Sequence, residues 1–150
     1  MKKIVATALL CAALAACGGG SDTTGPGDGT VNGTWSGSAS NVTGSGVTCD
    51  GTGLKLMLTQ SDATFTGSYT LVKLSCSGPG GSSSGGPFGG AVTNGTITGA
   101  SVSFTLDTGE LAFTGTLSGN TMSGSTVWTL DLGPPYGTVV LTGNWTAKRS

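Results

Sequence analysis

Residues 101–118 read SVSFTLDTGELAFTGTLS, and the order of apolar and hydroxyl side chains in them decides the fold. Val102, Phe104 and Leu106 share one parity, and Leu111, Phe113 and Leu117 continue the pattern after a short break. The intervening places are mostly Ser, Thr, Ala and Gly. Successive side chains of a strand point to opposite faces, so each run makes a strand with one apolar and one wet face. Thr108-Gly109 between them tolerates positive φ, which folds the two strands back on each other as antiparallel neighbours.

The same alternation extends in both directions, and no stretch after Val31 has helical periodicity. Eight strands are expected, at about 31–40, 53–60, 64–74, 91–98, 101–107, 110–118, 121–131 and 137–147. Short connections at Ser61-Asp62-Ala63, Gly99-Ala100 and Ser118-Gly119-Asn120 make them a meander. A tripeptide of an apolar residue, Thr or Ser, and Gly recurs at 65–67, 97–99, 113–115, 122–124 and 141–143. Glycine weakens a strand unless the sheet must coil sharply or a large neighbour needs room. Closure into a barrel supplies both reasons and removes exposed edges; an open sandwich of the same strands is the rival. Gly33-Thr34-Trp35 and Gly143-Asn144-Trp145, on the first and last strands, favour closure with two large rings at one end of the core. The expected fold is therefore all-β, an eight-stranded antiparallel up-and-down meander barrel over residues 31–150.

Gly33-Thr34-Trp35, Phe65-Thr66-Gly67-Ser68-Tyr69 and Thr142-Gly143-Asn144-Trp145-Thr146 resemble the matching strands of the avidin-like barrels, close in form to the lipocalin-like ones. The resemblance covers most of residues 31–147 and implies a barrel able to hold one small ligand. Of the avidin family's biotin contacts, Tyr69 matches a ligand tyrosine. Gly37, Leu71 and Trp145 stand where an asparagine, a serine and an aspartate are expected, so the likeness extends to the fold and not to biotin binding.

Ahead of the strands, Lys2-Lys3 and the apolar stretch Ile4–Ala16 form an export signal too short to span a bilayer. Leu14-Ala15-Ala16-Cys17 resembles the bacterial lipobox, which implies cleavage after residue 16, acylation of Cys17 and attachment to a membrane through lipid. Cys11 lacks the small residues before it that this processing needs. Gly18 in place of an acidic residue implies the outer membrane by the same resemblance. Residues 17–30 carry the lipidated cysteine and a Gly-rich linker, GGGSDTTGPGDG at 18–29, with a reach of roughly 20 Å.

Only Cys49 and Cys76 are then left to pair in an oxidising compartment. Their midpoint falls inside the Ser61–Ala63 turn, so a hairpin of the second and third strands brings them together as a structural disulfide.

Beyond residue 16, four basic residues (Lys55, Lys73, Lys148, Arg149) face seven acidic ones, a net charge of −3 that argues against nucleic acid as a partner. The chain has no histidine, one glutamate and no free thiol after processing, which leaves no imidazole base, thiolate nucleophile or His-ligated metal site; no enzyme activity, cofactor or metal is expected. Asp107 and Glu110 read as solvated turn ends, with a carboxylate pair or weak calcium binding as the alternative. Aromatic residues concentrate on the apolar parity: Trp35, Phe65, Tyr69, Trp128 and Trp145, with Phe88 on a long loop at 77–90 that suits a lid. These six are the candidate binding residues for a small apolar or aromatic ligand. The competing expectation is a structural or interaction lipoprotein of the envelope with a filled core. An enclosed void of about 300 Å³ lined by the tryptophans favours the first, a solid interior the second.

Overall fold

The computed structural model describes residues 29–107, 110–131 and 137–150. The expected signal, Cys17 and residues 18–28 of the linker lie outside the described residues, as does the Thr108-Gly109 connection. Nine antiparallel strands run in chain order: β1 (Gly33–Gly44), β2 (Val47–Ser61), β3 (Thr64–Gly78), β4 (Gly81–Gly85), β5 (Phe88–Thr98), β6 (Ser101–Leu106), β7 (Leu111–Ser118), β8 (Thr121–Asp131) and β9 (Thr138–Arg149).

Eight of them close into a barrel in up-and-down order. Neighbours run β2-β1-β9-β8-β7-β6-β5-β3, and β2 also pairs with β3. The open sandwich is thereby excluded, because β1 and β9 pair side by side, with Ala39 opposite Trp145 and Trp35 opposite Arg149. The ninth strand, β4, lies outside the closed wall as a short ribbon on the upper end of β3, with Cys76 opposite Ser83.

Segment 77–90 is accordingly not the loop its composition suggests. Its serines carry no apolar alternation, so periodicity is silent, yet the backbone of β3 continues to Gly78, returns through β4 and enters β5 at Phe88. The same silence hides the ends of β1 and β2. Asn41, Ser45 and Gly46 all have positive φ (51°, 50° and 79°). Ser45-Gly46 forms a tight two-residue hairpin of the kind that matches strand twist, where the sequence offers only small polar residues.

Two ends of the barrel follow from the connections. The β2–β3, β5–β6 and β7–β8 turns lie at one end, called here the floor; the β1–β2, β3–β4 and β6–β7 connections lie at the other, the mouth. At the floor the interior is packed solid. Phe104 and Phe113 stack with ring centres 4.8 Å apart, and Trp145 stands edge-on to both at 5.4 and 5.5 Å. Phe65 meets Phe104 edge-on at 5.9 Å. The glycines beside Trp145 make this possible: Gly115 pairs with Gly124, and Gly124 with Trp145. A Cβ on Gly124 would come within 2.0 Å of the Thr114 carbonyl oxygen, so only glycine lets these strands approach.

Trp35 closes the floor. It is fully buried, its indole N–H donates to the Val31 carbonyl at 2.9 Å, and the Arg149 guanidinium lies 4.5 Å from its ring centre. Arg149 also donates to the carbonyls of Asn32 and Thr30, and the Val31 amide donates to Gln60 Oε1. Residues 30–32 are thus strapped across the floor as a plug. The two tryptophans do share this core, as their matched tripeptides suggest, but Trp35 sits two repeats of the pleat nearer the floor and takes Arg149, not Trp145, as its neighbour on β9.

At the other end Cys49 and Cys76 face each other across the β2–β3 ladder and are joined by a disulfide. The register around the Asp62-Ala63 turn runs unbroken from Ser61–Thr64 to the cysteine pair except at Gly53, as the midpoint argument requires. Cys49 packs with Val42 and Leu141 in a small second cluster.

Candidate functional site

Side chains of one parity that point into a barrel should be buried all the way up unless the barrel opens. On β8, Met122 and Thr126 are buried whereas Trp128 and Leu130, the next two inward positions, are only half-buried. On β3, Phe65 is buried and Tyr69 and Leu71 above it are half-buried. Leu111 on β7 and Val139 on β9 follow the same gradient. The half-buried positions ring the mouth in two groups: Tyr69, Leu71 and Leu111 pack against the aromatic core, whereas Trp128, Leu130 and Val139 pack against the buried Val42, Cys49 and Leu141.

The six aromatic candidates therefore separate. Trp35, Phe65 and Trp145 are 0–2% exposed and belong to the floor. Tyr69 and Trp128 stand in the mouth wall. Phe88, 43% exposed, pairs with Leu71 across β3–β5 and so occupies the inward face at the rim, as part of a strand and not on a free loop. Beneath Trp128, the buried Thr126 hydroxyl is satisfied by the Ala112 carbonyl at 3.0 Å.

One polar pair interrupts this ring. The Tyr69 hydroxyl donates to Asp107 Oδ2 at 2.5 Å, and Asp107 Oδ1 accepts the Ala91 amide at 3.2 Å. Asp107 itself sits at φ 52° just past β6, a conformation that aspartate tolerates better than most residues. The Tyr69 pKa is pushed up to about 12, by burial first and then by the hydrogen bond to and charge of Asp107. The sequence suggests nothing of this pairing; Asp107 reads there as a turn end. The missed signal is Gly90, directly across from Tyr69 on β5: a Cβ there would lie 1.8 Å from Asp107 Oδ1 and 3.1 Å from the Tyr69 ring. The carboxylate therefore rests on the inward side of β5, in space that Gly90 leaves free. Glu110 is exposed and extends away in sequence from this pair.

Two open grooves, of about 330 and 300 Å³, flank the β3–β4 ribbon and not the barrel axis. The larger is lined by hydroxyl side chains with Asp50 and Lys73, and holds no aromatic ring. Among the described residues no three His, Cys, Asp or Glu side chains cluster as a metal would need. No protein-family model, curated protein or solved structure matches the chain.

Proposed function

We propose that this chain is an envelope lipoprotein, held by lipid on Cys17 at the outer membrane, whose barrel binds a small apolar or aromatic ligand at its mouth without catalysis. The observation that carries the binding part is the burial gradient. Inward apolar residues near the floor are sealed, and those at Tyr69, Leu71, Leu111, Trp128 and Leu130 remain partly open to water, around a small sealed cluster of Val42, Cys49 and Leu141. An apolar ring open at one end is a place where a ligand gains by displacing water, at about 25 cal/mol per Å² of apolar surface covered. The aromatic floor gives the site a rigid base. The lipid anchor rests on Leu14-Ala15-Ala16-Cys17.

The same solid floor favours the second reading, a structural or interaction lipoprotein without a ligand. Intrinsic fluorescence separates the two. Trp35 and Trp145 are sealed while Trp128 is half-exposed. Titration with a series of aromatic and aliphatic small molecules is expected to shift the emission of the native chain and to leave Trp128→Phe silent. A chain purified from its own envelope that carries no small molecule in native mass spectrometry, and whose emission no compound moves, would refute the binding reading. Metabolic labelling with an alkyne fatty acid tests the anchor: label retained by Cys17→Ser refutes it.

A further inference from the structure

The mouth contains a charge that an apolar cup does not need. Asp107 is exposed, and a turn end is free to direct its carboxylate outward into water. Asp107 is instead turned inward, onto Gly90 and under the Tyr69 hydroxyl. Each of its oxygens accepts one hydrogen bond, from Tyr69 and from the Ala91 amide. A carboxylate offers about four acceptor positions, so two take no hydrogen bond from the described residues. The chain's cations beyond the signal are elsewhere: Lys55 and Lys73 are exposed on β2 and β3, while Lys148 and Arg149 end β9 at the floor. Leu71 and Phe88 stand on the near side of the pair, and Trp128 lies two strands away across β7, about 10 Å on the interstrand spacing.

We infer that the mouth selects an aromatic or apolar amine, whose ammonium group is received by the Asp107 carboxylate while its apolar part covers Leu71, Phe88 and Trp128. This rests on the mouth being a ligand site. Tyr69 acts as a positioning residue: its hydroxyl, kept protonated by burial and by Asp107, holds the carboxylate in place. Gly90 is the opening that lets the carboxylate reach the interior. The ammonium supplies donors to the acceptor positions that the described residues leave unused, and charge on both partners strengthens those hydrogen bonds.

Three probes of one shape test it: phenethylamine, phenethyl alcohol and phenylacetate, which present a cation, a neutral hydroxyl and an anion on the same ring. Titrated calorimetrically into the full chain in detergent at low salt, the amine is expected to bind at least tenfold more tightly than the alcohol, and the acid most weakly. Asp107→Asn retains an oxygen to accept from Tyr69. It should lose that tenfold preference while keeping the alcohol's affinity within about twofold and its melting temperature near that of the native chain. Equal affinities for the three probes would overturn the inference and leave the mouth intact as an apolar site. A loss of all binding in Asp107→Asn would also overturn it, by assigning the pair to structure alone. If none of the three binds and other aromatic compounds also fail, both the inference and the mouth fall together.

Discussion

The floor and the mouth of this barrel are built from the same alternating strands and differ in what completes them. At the floor every inward side chain meets another: Phe104 stacks on Phe113, Trp145 abuts both, and Trp35 is capped by Arg149 and the strap at 30–32. At the mouth the wall has the same parity, but only Val42, Cys49 and Leu141 are sealed among half-buried neighbours, and a Tyr–Asp pair stands among them. Identical periodicity can therefore produce a sealed core at one end and half-buried walls at the other, and at the floor the seal comes from the strap at 30–32 and Arg149.

Truncation on the two levels should separate them most clearly. Phe104→Ala removes a buried ring that packs against three others, Phe65, Phe113 and Trp145, and is expected to cost about 4 kcal/mol in urea unfolding. Trp128→Ala, half-exposed, should cost well under half as much; equal losses would mean that the mouth is as tightly packed as the floor. Next in size is the disulfide. Cys49→Ala with Cys76→Ala opens a 27-residue link and should lower stability by about 3 kcal/mol without changing the far-ultraviolet spectrum.

The plug is expected to contribute less. Arg149→Ala removes the cation over Trp35 and two hydrogen bonds to the strap, at a cost of about 1–2 kcal/mol, and should speed amide exchange at Val31 and Trp35 but not at Trp128. The smallest effect concerns Tyr69. Its pKa in the folded chain, about 12, lies above the unfolded value of 10.0, so its contribution is complete below pH 10 and disappears as pH rises from 10 to 12. Absorbance near 295 nm, compared between the native chain and Tyr69→Phe, should show a phenol titrating about two units late; Asp107→Asn should move it back towards 10.

Most of the wall was legible in the sequence because it depends on parity. Val102, Phe104, Leu117, Met122 and Leu141 each point where alternation puts them, and all are buried. Closure was legible from the matched Trp35 and Trp145 segments, and the disulfide from the midpoint of Cys49 and Cys76. Serine- and glycine-rich stretches were not, since Ser82–Ser84 and residues 41–52 make strands through backbone hydrogen bonds that leave no apolar rhythm. The end pieces were illegible for another reason. Arg149 over Trp35 and Asp107 under Tyr69 are contacts between residues 114 and 38 positions apart, and neither distance belongs to any local period.

The strap at 30–32 also gives the molecule a polarity. The chain enters the barrel through the pole opposite the opening, and Arg149 and Gln60 clasp that entry so that it does not swing round the side. Residue 30 therefore stands at the base, with the length of the barrel between it and Trp128, so a label placed at Thr30 would report on the base and one at Trp128 on the other pole.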